Sequence, residues 1–263
     1  MGSYPPPVNR LLTIGAADYH CTPETWLNYS AECQLGSSDI PALLKMASDD
    51  ELWELSPEEP RAWAPIHAVR ALGQLKAEEA IGLLIDLDQR YPEDDWLLNS
   101  LPSVFAMIGP AVVPALWAAY DEAIGDESRR FGAIEALEAI AKQYPSECPN
   151  IIAGLIRRLE NYATQSADIN GFLIDSLVEL DARDAVPLMR QVYEAKRIDP
   201  MYSTWHEVRK HFGLTEPDPL DLGPRQIRQM PRTRPSSSTK AKDVKKAKRK
   251  ATAKARRKTR PKK

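Results

Sequence analysis

From Asp39 to Leu214 apolar side chains recur at helical spacing, and the alternation of β-branched residues that marks strands is missing. An all-α domain is predicted. Five short segments share one frame: "DIPALLKMA" (39–47), "EAIGLLIDL" (79–87), "AVVPALWAA" (111–119), "NIIAGLIRRL" (150–159) and "DAVPLMRQV" (184–192). Their aligned residues Ile40, Ile81, Val113, Ile152 and Val186 stand 41, 32, 39 and 34 apart. Each is followed by a second apolar stretch: "WAPIHAVRALGQL", "LLNSLPSVFAMIG", "RRFGAIEALEAIA", "NGFLIDSLVEL" and "TWHEVRKHFGL". The pattern predicts about five helical hairpins over residues 39–214, an α-solenoid in which stacked neighbours create the core that no single hairpin can make.

Punctuation places the boundaries. Asp39 and Asp184 are candidate helix caps, with Pro41 and Pro187 in first turns where proline loses no internal hydrogen bond. Gly73 and Gly109 fall near the ends of second helices, where a left-handed cap favours glycine, and Pro110 forbids continuation. Residues 1–38 read as an N-terminal cap for the stack, with a helix starting near Thr22 and Pro23 and carrying Trp26 and Leu27. Residues 215–239 are Pro-rich and aperiodic, a linker, and residues 240–263 lack the apolar content to build a core, a disordered tail.

Charge divides the chain more sharply than hydrophobicity does. The whole carries -2, yet residues 225–263 hold 18 Lys and Arg against the single acid Asp243. Of the 35 bases and 37 acids, 17 and 36 therefore remain for residues 1–224, so a body at -19 bears a tail at +17. Such asymmetry marks an interaction tail on a folded domain. Lys245, Lys246, Lys248, Arg249, Lys250, Lys254, Arg256, Arg257 and Lys258 form its densest part. Without aromatic residues the tail has no base stacking to offer, so a nucleic acid would be held by its phosphates, independent of sequence. The same clusters suit a localisation address or docking on the acidic body.

Candidate chemistry is sparse. Cys21, Cys33 and Cys148 make an odd set with no CxxC pair, which argues for reduced thiols rather than disulfides or zinc. "HEVRKH" (206–211) spaces its histidines five apart, about 140° around a helix rather than on one face. No GxSxG, P-loop or GxGxxG pattern occurs. No catalytic, metal or cofactor site is expected, so the chain reads as non-enzymatic. No run reaches the roughly 18 apolar residues of a spanning helix, and "MGSYPPPVNRLL" lacks a signal-peptide core, so a cytoplasmic location is expected. Acids gather in "SDDELWELSPEEP", "PEDDW" and "DEAIGDE", all between the two helices of a unit, either as an acidic ridge or as helix caps.

Trp63, His67, Arg70 and Gln74 lie at i, i+4, i+7 and i+11, one face of a second helix opposite the Ala64, Ala68, Ala71, Leu72, Leu75 stripe. Trp beside Arg on an exposed face is typical of interface anchors, although a Trp packed into a neighbouring repeat with a solvated polar face is the more common arrangement. The remaining tryptophans, Trp26, Trp53, Trp96, Trp117 and Trp205, are assigned to packing.

"AVRALGQLKAEEAIGLLIDL" (68–87) resembles the second helix, turn and next first helix of a HEAT-like repeat, and "ALG" at 71–73 resembles its PBS-lyase type. "TWLNYSAECQLGSSDIPALLKMA", "WAPIHAVRALGQL" and "DDWLLNSLPSVFAMIGPAVVPAL", in that order, are similar to an uncharacterised family of bacterial HEAT-like proteins, over about residues 10–190. That family's frequent cysteine-rich C-terminal motif has no counterpart, since no Cys follows Cys148. The resemblance implies that second helices line a concave, protein-binding surface, which would carry Trp63, His67, Arg70 and Gln74. Three functions are weighed: a scaffold for an unknown protein partner, as the resemblance implies, whose basic tail is a polyanion tether; an adaptor inhibited by its own tail, from the opposite charges of tail and body; and a phycobilin-lyase-like enzyme, as the resemblance implies. A glycosylase on such a scaffold would want a cationic face, which a body at -19 does not offer.

Overall fold

The computed structural model describes residues 3–17, 23–199, 202–215 and 220, and every regular element among them is helical. 3-10 turns at Val8–Thr13 and Pro23–Thr25 lead into α1 (Tyr29–Glu32), α2 (Ile40–Ala47), α3 (Asp50–Trp53) and α4 (Ala64–Gln74). There follow α5 (Ile81–Arg90), α6 (Asp95–Ile108), α7 (Val113–Glu122), α8 (Glu127–Gln143), α9 (Cys148–Leu159), α10 (Ala167–Glu179), α11 (Val186–Glu194) and α12 (Trp205–His211). The fold is all-α. The expectations for the linker and for the basic tail, Lys245 to Lys258 included, lie outside the described residues apart from Thr215 and Leu220.

The apolar frames fall on helices that pack in pairs: α2 with α4, α5 with α6, α7 with α8 and α9 with α10, while α11 meets α12 through Tyr193 and Trp205. The longer members pack side by side in chain order, α4 on α6, α6 on α8 and α8 on α10. One core runs through all of them, with Leu43, Leu72, Leu84, Leu97, Leu116, Ile134 and Leu137 fully buried. Burying such a side chain is worth about 1.5–3 kcal/mol, which is why helices of this length, marginal alone, hold together.

Helix ends show a repeated device. α4, α10 and α11 close in the same way, with the residue after the last helical turn in the left-handed region: Lys76 at φ 53°, Asp181 at 55° and Lys196 at 53°. The next residue's N–H returns to a carbonyl five positions back: Ala77 to Leu72 at 3.0 Å, Ala182 to Leu177 at 2.9 Å, Arg197 to Val192 at 3.1 Å. These bonds satisfy carbonyls that a helix end leaves open. Glycine was expected in that role at position 73, and the structure corrects this. Gly73 lies inside α4, where a Cβ would come within 3.1 Å of the Val104 Cα; it is there for close helix approach. Gly109, at φ 106°, does end α6.

Two further expectations are corrected. Asp39 and Asp184 make no side-chain cap, because α2 and α11 are entered through 3-10 turns at Ser37–Asp39 and Arg183–Ala185. The Asp39 carboxylate instead accepts the Gly36 N–H at 2.9 Å. Trp26 and Leu27 lie outside any helix, since Asn28 is the N-cap that starts α1, accepting the Ala31 N–H at 3.0 Å.

The acidic turns are used largely as caps. Asp49, Asp94 and Asp126 accept backbone N–H groups at the starts of α3, α6 and α8. Others pair across neighbouring units: Asp50 with Arg90 and Asp121 with Arg158. Cys33 is buried and Cys148 half-buried, both free thiols. No single helix among the described residues is long and apolar enough to cross a membrane.

Candidate functional site

α4 is buried from Ala64 through Gly73, including two residues that sequence patterning places on a polar face. Its alanine and leucine stripe faces α2 and α6; the opposite face is crossed by the N-terminal segment, residues 15–17 and 23–29. Trp63, His67, Arg70 and Gln74 do share that face, but it is not an open surface, with His67 4% and Arg70 5% exposed. Patterning shows which side chains look outward from a helix and is silent on a distant segment that covers them.

Each of the four has a defined partner. The Gln74 amide donates from Nε2 to the Leu27 carbonyl at 2.9 Å and accepts the Tyr29 N–H at Oε1 at 3.0 Å. His67 Nε2 lies 2.9 Å from the Gly15 carbonyl and Nδ1 lies 2.8 Å from the Tyr29 hydroxyl. A carbonyl only accepts, so Nε2 carries the proton, and in a neutral ring Nδ1 accepts from Tyr29. Burial lowers the His67 pKa from its usual range, the Gly15 hydrogen bond opposes this, and the Arg70 charge adds to the lowering. Neutral His67 therefore fits both partners at neutral pH.

The Arg70 guanidinium stacks over the Trp26 ring at 4.6 Å and donates from Nε to Ser100 Oγ at 3.1 Å. Trp63 sits edge-on to Trp96, ring centres 5.0 Å apart, and donates to the Pro57 carbonyl at 2.9 Å. Trp96 of α6 donates to the Ala17 carbonyl at 3.0 Å. Beside the segment a cavity of about 420 Å³ opens between Pro23, Glu24, Trp26, Asn28 and Ser30 on one side and Gly73, Gln74, Lys76, Met107 and Gln143 on the other.

Sequence reasoning missed Tyr29 and the roles of Trp26 and Trp96. Asn28 as an N-cap was a readable signal for the local turn, but pairs such as Leu27 with Gln74 are 47 positions apart and leave none. A second polar region lies along α8 and α10. Lys142 bridges Glu138 at 2.8 Å and Glu179 at 3.0 Å, and Ser176 donates to buried Glu138 at 2.8 Å. Near the start of α10, burial raises the Asp168 pKa, with Glu127 and Asp199 adding to it. His211, one of the two histidines excluded from a zinc role, pairs with Asp181 at 2.7 Å, and the described residues contain no group of three His, Cys, Asp or Glu placed to hold a metal.

No family model, no curated protein and no solved structure matches the chain.

Proposed function

We propose that this protein is a non-enzymatic scaffold: a HEAT-like α-solenoid of about five hairpins that binds a protein partner, with a basic tail that tethers it to nucleic acid or another polyanion. The observation that carries the tether is the partition of charge, -19 over residues 1–224 against +17 beyond. The solenoid reading is supported by side-by-side packing of α4, α6, α8 and α10 and by the shared turn geometry after α4 and α10. An adaptor inhibited by its own tail is the alternative, favoured by the opposite signs of the two parts.

Fluorescent duplex DNA and single-stranded RNA titrated across salt against the full chain and residues 1–224 separate the readings. Binding by the full chain alone, with log K falling against log salt at a slope near -9 for about ten phosphates, is the expected result. Equal binding by both chains would sink the tether. If neither binds at moderate salt, the body is neutralising its own tail, and added basic peptide should then bind the truncated chain.

A further inference from the structure

We infer that the covered face of α4 is a receptor for a short peptide segment of the form aromatic-x-x-Tyr that starts a helix at the Tyr, and that Trp26 to Tyr29 of the same chain are its resident occupant. The inference rests on the scaffold reading and deepens it by naming the partner's chemistry. Gln74 pairs with the carbonyl of one residue and the N–H of the residue two further on, as a neighbouring β-strand would. Asn28 between them is extended, at φ -79° and ψ 93°. Contacts of this kind read main chain and leave the side chains at positions 27 and 28 unspecified. Selectivity falls to the two ends: a ring under the Arg70 guanidinium, and a hydroxyl donating to His67 Nδ1.

Polar groups fix the position of the segment on this face: His67 pairs with the Tyr29 hydroxyl, Gln74 with the Leu27 and Tyr29 main chain, and Arg70 with the Trp26 ring. An open pocket of about 420 Å³ adjoins residues 23–30 at the Gln74 end of this face and reaches Lys76, Met107 and Gln143. The resident segment competes at an effective concentration on the order of millimolar, so a partner must present its own segment at high local concentration or bind a second surface as well.

The probe is a fluorescein-labelled peptide of residues 23–32, PETWLNYSAE, titrated against the full chain. The same peptide carrying Trp26→Ala and Tyr29→Ala controls for attraction to the basic tail. Weakening the resident segment with Trp26→Ala in the protein should raise affinity for the probe by about tenfold or more, and adding Gln74→Ala should abolish it. A folded Trp26→Ala chain that binds no better than wild type, or binding indifferent to Gln74→Ala, would overturn the inference. Should Trp26→Ala fail to fold, hydrogen exchange on the wild-type chain decides: about 1 mM peptide must accelerate exchange over residues 23–33, and unchanged exchange refutes the receptor. Both readouts are independent of the nucleic-acid titration, so a negative result here leaves the tether standing and the converse also holds.

Discussion

The outer faces of α4 and α10 follow one spacing and meet different fates. On α4 the positions are Trp63, His67, Arg70 and Gln74, and on α10 they are Asp168, Phe172, Asp175 and Glu179. The N-terminal segment covers His67, Arg70 and Gln74, so that His67 and Arg70 are as buried as core residues, while half-buried Trp63 meets Pro57 and Trp96. The second set stays half-buried, with Glu179 exposed and bridged by Lys142, and its Phe172 stacks on Phe131 at 4.3 Å and meets the Tyr202 ring at 5.6 Å. A helix face is thus defined by its own spacing but its chemistry by what the rest of the chain lays over it. Burying polar groups is costly unless each finds a partner, and the face finds them in main-chain atoms of Gly15, Leu27 and Tyr29, the Tyr29 hydroxyl, the Trp26 ring and Ser100.

The contrast is most directly broken at Tyr29, 1% exposed and hydrogen-bonded to His67. Tyr29→Ala should destabilise by about 3–5 kcal/mol, the cost of emptying a large aromatic site and orphaning a buried ring nitrogen, measured by urea unfolding. A loss below about 1 kcal/mol would mean that the segment contributes little to the fold. Its counterpart on the open face, Phe172→Ala, should cost roughly half as much because that ring is already partly solvated. Equal losses at the two sites would erase the distinction between covered and open faces.

Acidification gives the smallest effect and the finest test. His67 binds its proton less readily when folded, so between its ordinary pKa and its lowered one the unfolded chain holds more protons. Stability is full above about pH 6.5 and declines as pH falls below it, with a slope of at most about 1.4 kcal/mol per pH unit. Asp88 opposes this trend: burial raises it to about 6, Arg129 pulls it down and Asp126 pushes it up, so folding takes up its proton as pH falls from about 6. The informative quantity is therefore the difference between wild type and His67→Gln, whose amide retains a donor for Gly15. Wild type should lose more stability than the variant from pH 6.5 to 5, and parallel curves would show that His67 does not couple to folding.

Much of the fold was legible because it is local. The five apolar frames fell on α2, α5, α7, α9 and α11, and Pro41, Pro114 and Pro187 sit in first turns as proline geometry requires. What escaped were choices made by contact rather than by propensity. Lys76, Asp181 and Lys196 adopt a conformation that sequence statistics assign to glycine, since the returning hydrogen bonds outweigh a strain of about 1–2 kcal/mol. Gly73 is needed instead for Val104, a residue 31 positions away. The four residues on α4 were legible as one face, and the segment over them was not, because nothing in the spacing of Trp63 to Gln74 encodes Gly15, Leu27 or Tyr29.

The shared turn after α4 and α10 has a consequence for how such a chain can change length. "LGQLKA" (72–77) and "LVELDA" (177–182) close with matching hydrogen bonds, so they are equivalent joints, and the stretch between them holds three whole hairpins, α5 to α10. Joining Ala77 directly to Arg183 would hand the chain from one joint to its twin with the same backbone geometry. On the solenoid proposed above, such joints would let a chain gain or shed hairpins as intact modules, and the reach of its surface would become a matter of copy number instead of redesign.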